Sequence, residues 1–187
     1  HTRLQGDWSS DVCSSDLERA MMIWESIREN SVTETGHLLH VSSQKGKMRI
    51  GFLEDYAFTI TALIRLYECS FDETLLHQSK RFAEQAFEEF YDASTGFFFF
   101  SSASKDEKLG RRKELHDNVI PASNSELAKG LFYLSRYFAD PKLEQTAARM
   151  VSSMAEDMQR YGSSYSNWAL LYMDLTERFK EIVIEGK

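Results

Sequence analysis

Three polar stretches carry side chains able to do chemistry, and each stands just ahead of an apolar run. Gly51-Phe52-Leu53-Glu54-Asp55-Tyr56-Ala57 puts two carboxyls and a phenol into what reads as a first helical turn. Acids there complement the helix dipole by ~0.3–1 kcal/mol each. A carboxylate at such a mouth can equally orient a sugar hydroxyl or act as acid or base. The second stretch sets His116-Asp117-Asn118 ahead of Pro121 and Ser123-Asn124-Ser125. Proline with Ser and Asn marks a helix start, with Ser123 or Asn124 as the expected N-cap. One cap needs one residue, so the surplus of hydrogen-bonding groups suits a polyol site. In the third, Tyr161-Gly162-Ser163-Ser164-Tyr165, either serine can cap and Tyr165 is a candidate to face a cavity. The candidate acid/base pair is therefore Asp55 and Asp117. Glu54, Tyr56, His116, Asn118, Ser123, Asn124 and Tyr165 are the candidate substrate contacts, although a lone loop histidine such as His116 more often faces solvent.

Other chemistries lack their residues. His37, His40 and His77 share no ligand spacing, so no metal is expected. Cys13 and Cys69 form no CxxC pair, and Cys69, near the end of an apolar segment, reads as a small buried hydrophobe. No nucleophile elbow, P-loop or dinucleotide fingerprint occurs, and no cofactor is expected.

The elements that must position these residues are helices of two kinds. Residues 18–30 (Met21, Trp24, Ile27), 72–91 and 141–160 are two-faced. Residues 52–69, 121–138 and 163–176 are largely apolar. A striped helix has one face in water, and one apolar all round is buried. The alternation predicts an all-α fold with outer and inner helices joined as hairpins, a partial α/α-barrel amounting to about half a ring. Inner-to-outer links are short, at Ser70-Phe71 and Ala139-Asp140. Outer-to-inner links, 31–51 and 92–120, are long, and loops of that length inside a compact domain are commonly functional. Short β-hairpins are expected within them: residues 36–41 with 47–50 around a Gln44-Lys45-Gly46 turn, and a buried strand-like run at 96–101 with four phenylalanines. Half a ring leaves its inner helices bare, so the missing helices are expected upstream, or two copies pair. The tail Lys180-Glu181-Ile182-Val183-Ile184 reads as a strand and suggests continuation.

The chain has 187 residues, 42% of them hydrophobic, and a net charge of -7 without basic clusters, which argues against nucleic acid as a partner. No apolar run approaches the ~18–20 residues that span a bilayer, so no membrane partner and a cytoplasmic location are expected. Residues 1–17 lack any helical or strand period and are crowded with Ser and Asp. Asp7–Leu17 resembles the conceptual translation of a sequencing-library adapter, so 1–17 are expected to be a non-native, disordered segment, with the domain at 18–187.

Taken in order, Gly51–Phe58 (GFLEDYAF), Lys113–Ser125 (KELHDNVIPASNS) and Lys180–Ile184 (KEIVI) resemble one family, the thioredoxin domain-containing proteins of the bacterial YyaL type, related to spermatogenesis-associated protein 20. The resemblance covers residues 18–187. It implies a thioredoxin-like domain upstream and a six-hairpin glycosidase-like barrel, of which this chain is the later half. By fold analogy with N-acylglucosamine 2-epimerases and glycosidases it implies a carbohydrate-like ligand, with epimerase-like or glycosidase-like chemistry left open against a non-enzymatic scaffold whose barrel is plugged. The family pattern has aspartate-aspartate-tyrosine where Glu54-Asp55-Tyr56 stand, and tyrosine-aspartate-glycine-alanine where His116-Asp117-Asn118-Val119 stand. Asn118 is expected to take the glycine's left-handed conformation.

Overall fold

The structure, a computed structural model, describes residues 8–41, 49–103 and 110–177. Among them the chain is mostly helical, with two small antiparallel β pairs. The helices are α1 (Trp8–Ser31), α2 (Leu53–Ser70), α3 (Glu73–Phe90), α4 (Ser123–Phe138), α5 (Pro141–Ser153), α6 (Ala155–Arg160) and α7 (Ser166–Thr176). The strands are β1 (Leu39–Val41), β2 (Arg49–Ile50), β3 (Tyr91–Asp92) and β4 (Phe97–Phe98).

α2 packs on both α3 and α4, α4 also packs on α5, and α7 lies against α4 and α5. Two hairpins thus stack side by side through α2 and α4. Gly130 permits the close crossing, since a Cβ there would stand 2.7 Å from Ile60 Cγ2. Both tight links are built alike. α2 ends at Phe71 (φ 58) and α4 at Ala139 (φ 49), left-handed residues whose N–H groups return to Tyr67 O and Ser135 O. An aspartate follows each and caps the next helix: Asp72 accepts the Thr74 N–H at 2.9 Å and Asp140 the Lys142 N–H at 3.0 Å.

Several expectations need correction. α1 begins at Trp8, so residues 8–17 are helical rather than disordered; residues 1–7 lie outside the described residues. Ser and Asp cost at most ~0.7 kcal/mol each in a helix, little to ask of a helix already nucleated downstream. The helix expected over 141–160 is bent at Met154 (φ -96, ψ 1), whose side chain stays buried. The inner helices are not apolar all round. α2 buries Leu53, Tyr56, Ala57, Ile60, Leu63 and Ile64, while Ala62, Arg65 and Cys69 face outward. Cys69 is therefore exposed rather than a core hydrophobe. On α7, Leu170, Tyr172 and Met173 are each at least half exposed. Asn118 is not left-handed, because Phe71 and Ala139 are the non-glycine residues with positive φ among those described. The four-phenylalanine run is a strand only at β4: Phe97 and Phe98 are buried, while Phe99 and Phe100 lie half-buried beneath Arg111, Arg112 and Lys113. The expected Gln44-Lys45-Gly46 turn and the 180–184 strand fall outside the described residues.

Candidate functional site

The N-termini of α2, α4 and α7 are tied together at one end by the segments around β4 and residues 110–122. Phe100 O accepts the Leu53 N–H at 2.9 Å. Phe98 exchanges two bonds with the Asn124 side chain, N–H to Oδ1 at 2.8 Å and Nδ2 to the Phe98 carbonyl at 2.9 Å. Asn124 Nδ2 also reaches Glu114 O, and Trp168 Nε1 donates to Leu115 O at 2.8 Å. The Asp117 N–H meets Ser164 O at 2.8 Å. A backbone segment can bridge three helices in this way only if its own polar groups are used up doing so.

Asp117, 7% exposed, does the work expected of local caps. Its Oδ1 accepts the Ala122 N–H at 2.8 Å and the Ser125 hydroxyl at 2.6 Å; its Oδ2 accepts the Asn167 N–H at 2.9 Å. One carboxylate thereby caps α4 and α7 together. Neither Ser123 nor Asn124 caps α4, whose N-cap is Ala122, and neither Ser163 nor Ser164 caps α7, whose N-cap is Tyr165. Asn167 Nδ2 extends the network to Ser125 Oγ and Glu126 Oε2, both at 3.0 Å. The Ser123 N–H is held by Glu114 Oε2 at 3.2 Å.

The remaining candidates divide by burial. Tyr56 is a core residue: fully buried, packed edge-on against Phe82 and Phe90, its hydroxyl accepting the Leu38 N–H, and its phenol pushed up to about 12, chiefly by burial. Asn118 and His116 are exposed. The buried Tyr165 hydroxyl meets His116 Nδ1 at 2.7 Å; desolvation, then Asp157, Asp117 and Tyr161, raise its phenol above the usual value. Glu54 and Asp55 are half-buried at the α2 entrance. Asp55 Oδ2 takes the Phe52 N–H at 2.7 Å and lies 3.0 Å from His40 Nδ1.

Around Glu54 the structure gathers residues that sequence reading did not single out. Its carboxyl is held above the ordinary glutamate range by burial first, then by the charges of Asp55 and Glu114, with His40 and Arg112 opposing. Beside it, Phe52 stacks on Phe100 with ring centroids 4.9 Å apart; His40 sits edge-on to Phe52 and the Arg112 guanidinium covers Phe100. His40 comes from β1 and Glu114 and Arg112 from the loop before α4. Nothing in their local sequence signals that they converge on Glu54.

Below this entrance the open faces of α2 and α4 enclose a groove of about 400 Å³. Phe58, Thr61 and Arg65 line one wall, and Glu126, Lys129 and Tyr133 the other. The Arg65 guanidinium lies over the Tyr133 ring and bonds Glu68 at 2.6 Å. A second groove, of about 1040 Å³, is apolar and runs between α1 and α2 past Ile23, Ile27, Phe58, Ala62 and Leu66. No group of three or more His, Cys, Asp or Glu side chains is placed to hold a metal ion among the described residues. No helix among them is long and apolar enough to cross a membrane.

No family model matches the chain. Over 137 residues, 73% of the chain, it is 28% identical to spermatogenesis-associated protein 20 of Homo sapiens. The proteins of that name from Mus musculus and Rattus norvegicus match to the same extent. The matched stretch spans 17% of the length of these relatives, so the chain is similar to a minor part of proteins several times longer.

Proposed function

We propose that the chain is part of a larger α/α ring that binds a carbohydrate-like ligand at the joined entrances of α2 and α4. One observation carries this reading: Glu54, Asp55, Glu114, His40 and Arg112 surround the half-buried Phe52–Phe100 pair at that end. Carboxylates and a cation beside an aromatic face suit a polyol, which offers hydroxyls on its rim and C–H groups on its flat side. Glu54, whose proton affinity is raised by burial and by the neighbouring acids, is the general acid of this site, and Glu114, whose Oε2 accepts the Ser123 N–H at the start of α4, is the second acidic group. Asp117 is a positioning residue, since its oxygens are engaged by backbone and side-chain donors. In the longer protein the remaining helices, with a thioredoxin-like domain upstream, close the ring and cover the apolar α1–α2 groove. The cytoplasm is the proposed compartment.

Thermal shift against neutral monosaccharides tests the site. A saturable rise in Tm, lost in both Glu54→Gln and Glu114→Gln, is expected; binding unchanged in both variants sinks it. A second reading, a non-enzymatic scaffold, is favoured by the burial of Phe97 and Phe98 and by the full engagement of Asp117 and Asn124. It predicts that no sugar shifts the Tm.

A further inference from the structure

We infer that the site isomerises an open-chain aldose to its ketose, with His40 as the base that carries the proton between C2 and C1. This deepens the proposed function and rests on it. His40 Nδ1 lies 3.0 Å from Asp55 Oδ2 and 3.2 Å from Oδ1. The same Oδ2 accepts the Phe52 N–H at 2.7 Å, so the start of α2 fixes the carboxylate that holds the imidazole. A carboxylate only accepts, which assigns the proton of the neutral imidazole to Nδ1 and the lone pair to Nε2. No hydrogen bond engages Nε2 among the described residues. The imidazole is 37% exposed and stands edge-on to Phe52, whose ring stacks on Phe100. An oriented, unfilled lone pair thus borders the aromatic pair on which the ligand rests. Asp55 is the positioning residue of this base.

Glu54 supplies the acid that such a step needs. It adjoins Asp55 in the chain, and the charge of His40 is felt at its carboxyl, so base and acid serve one opening. With the aldose on the Phe52–Phe100 pair, Nε2 takes the proton from C2. The C–H electron pair becomes the C1–C2 double bond, and the carbonyl electrons move to O1, which takes the Glu54 proton. The product of this half is an enediol. In the second half O2 gives its proton to Glu54, the C2–O2 double bond forms, and C1 takes the proton from Nε2. Atoms and electrons balance with no further reactant. One base serves one face of the sugar, so delivery to C1 yields the ketose and delivery to C2 restores the starting aldose. The C2 epimer requires delivery from the opposite face.

The whole chain, incubated with glucose, mannose or fructose in deuterated water and followed by proton and carbon NMR, tests this. At least one of the three should interconvert with its ketose or aldose partner and gain deuterium at C1 or C2. His40→Gln should slow this by about a hundredfold or more, as loss of a general base does. Asp55→Asn keeps an acceptor for the Phe52 N–H, but its amide donates to Nδ1 and moves the imidazole proton to Nε2. The rate should fall in this variant too, while the sugar-induced rise in Tm persists in both. Nitrogen NMR of His40 reads the cause apart from turnover: the proton on Nδ1 in the parent, on Nε2 in Asp55→Asn. A sugar that raises the Tm without isomerising, a rate that survives His40→Gln, or a parent imidazole protonated on Nε2 overturns the inference and leaves the binding site standing. If no sugar shifts the Tm, the proposed site fails and this inference fails with it.

Discussion

At the scale of single residues, the acids of this chain have parted into two roles. Asp117 lies inside the fold and satisfies three donors from two helices and their connection. Asp117→Ala would strand two backbone N–H groups in a buried place, while the Ser125 hydroxyl keeps Ala122 O as its acceptor. A loss of about 3–5 kcal/mol is expected, read as a drop in the urea midpoint. Glu54 behaves in the opposite way. Its folded-state proton affinity is raised, so folding is favoured below the unfolded glutamate pKa of ~4.3, and that advantage is lost as pH rises through the folded value. Glu54→Gln should therefore be more stable than the parent at neutral pH, with the gain vanishing near pH 3–4. Denaturation at the two pH values checks it, and a variant equally stabilised at both would refute the assignment.

At the scale of elements, the turn chemistry is the most transferable feature. The α2–α3 and α4–α5 links use the same device 68 positions apart: a left-handed residue, then an aspartate N-cap. Phe71 and Ala139 pay a steric penalty that glycine would not. Ala139→Gly should relieve it and raise stability by about 0.5–1 kcal/mol, measurable in chemical denaturation; loss of stability would mean that the αL cap is wrongly placed. The shared device was half legible. Asp72 and Asp140 announce helix starts in the sequence, whereas the left-handed residue before each is an ordinary Phe or Ala that gives no sign of its backbone. The sequence offers caps for α4 and α7 next door, in Ser123, Asn124, Ser163 and Ser164. The fold instead uses Asp117 and Glu114, which lie several residues upstream and, for α7, fifty positions away.

At the scale of the whole molecule, the helices leave apolar surface at both edges of the array. Ile23 is 60% exposed on the α1–α2 groove, and Leu170 is 57% exposed on α7. Patches of that kind are rare on monomers and bind apolar probes or partners. The chain alone should bind an apolar dye and associate with rising concentration. Ile23→Lys should weaken both, as seen by dye fluorescence and sedimentation velocity, while stability stays within about 0.5 kcal/mol because the side chain is largely in water. Dye binding unaffected by that substitution would place the sticky surface elsewhere.

The sequence by itself determined the all-α class, the order of helices, the short links and the clustering of polar stretches ahead of α2, α4 and α7. These follow from hydrophobic period and turn residues, which act over a few positions. Only the tertiary structure decided which acids are sealed into caps and which face an opening. It also decided that Tyr56 belongs to the core, that Cys69 lies outside it, and that the charges of His40, Arg112 and Glu114 are felt at Glu54. Burial and charge proximity depend on which helices pack together, and that is set by contacts between residues far apart in the chain.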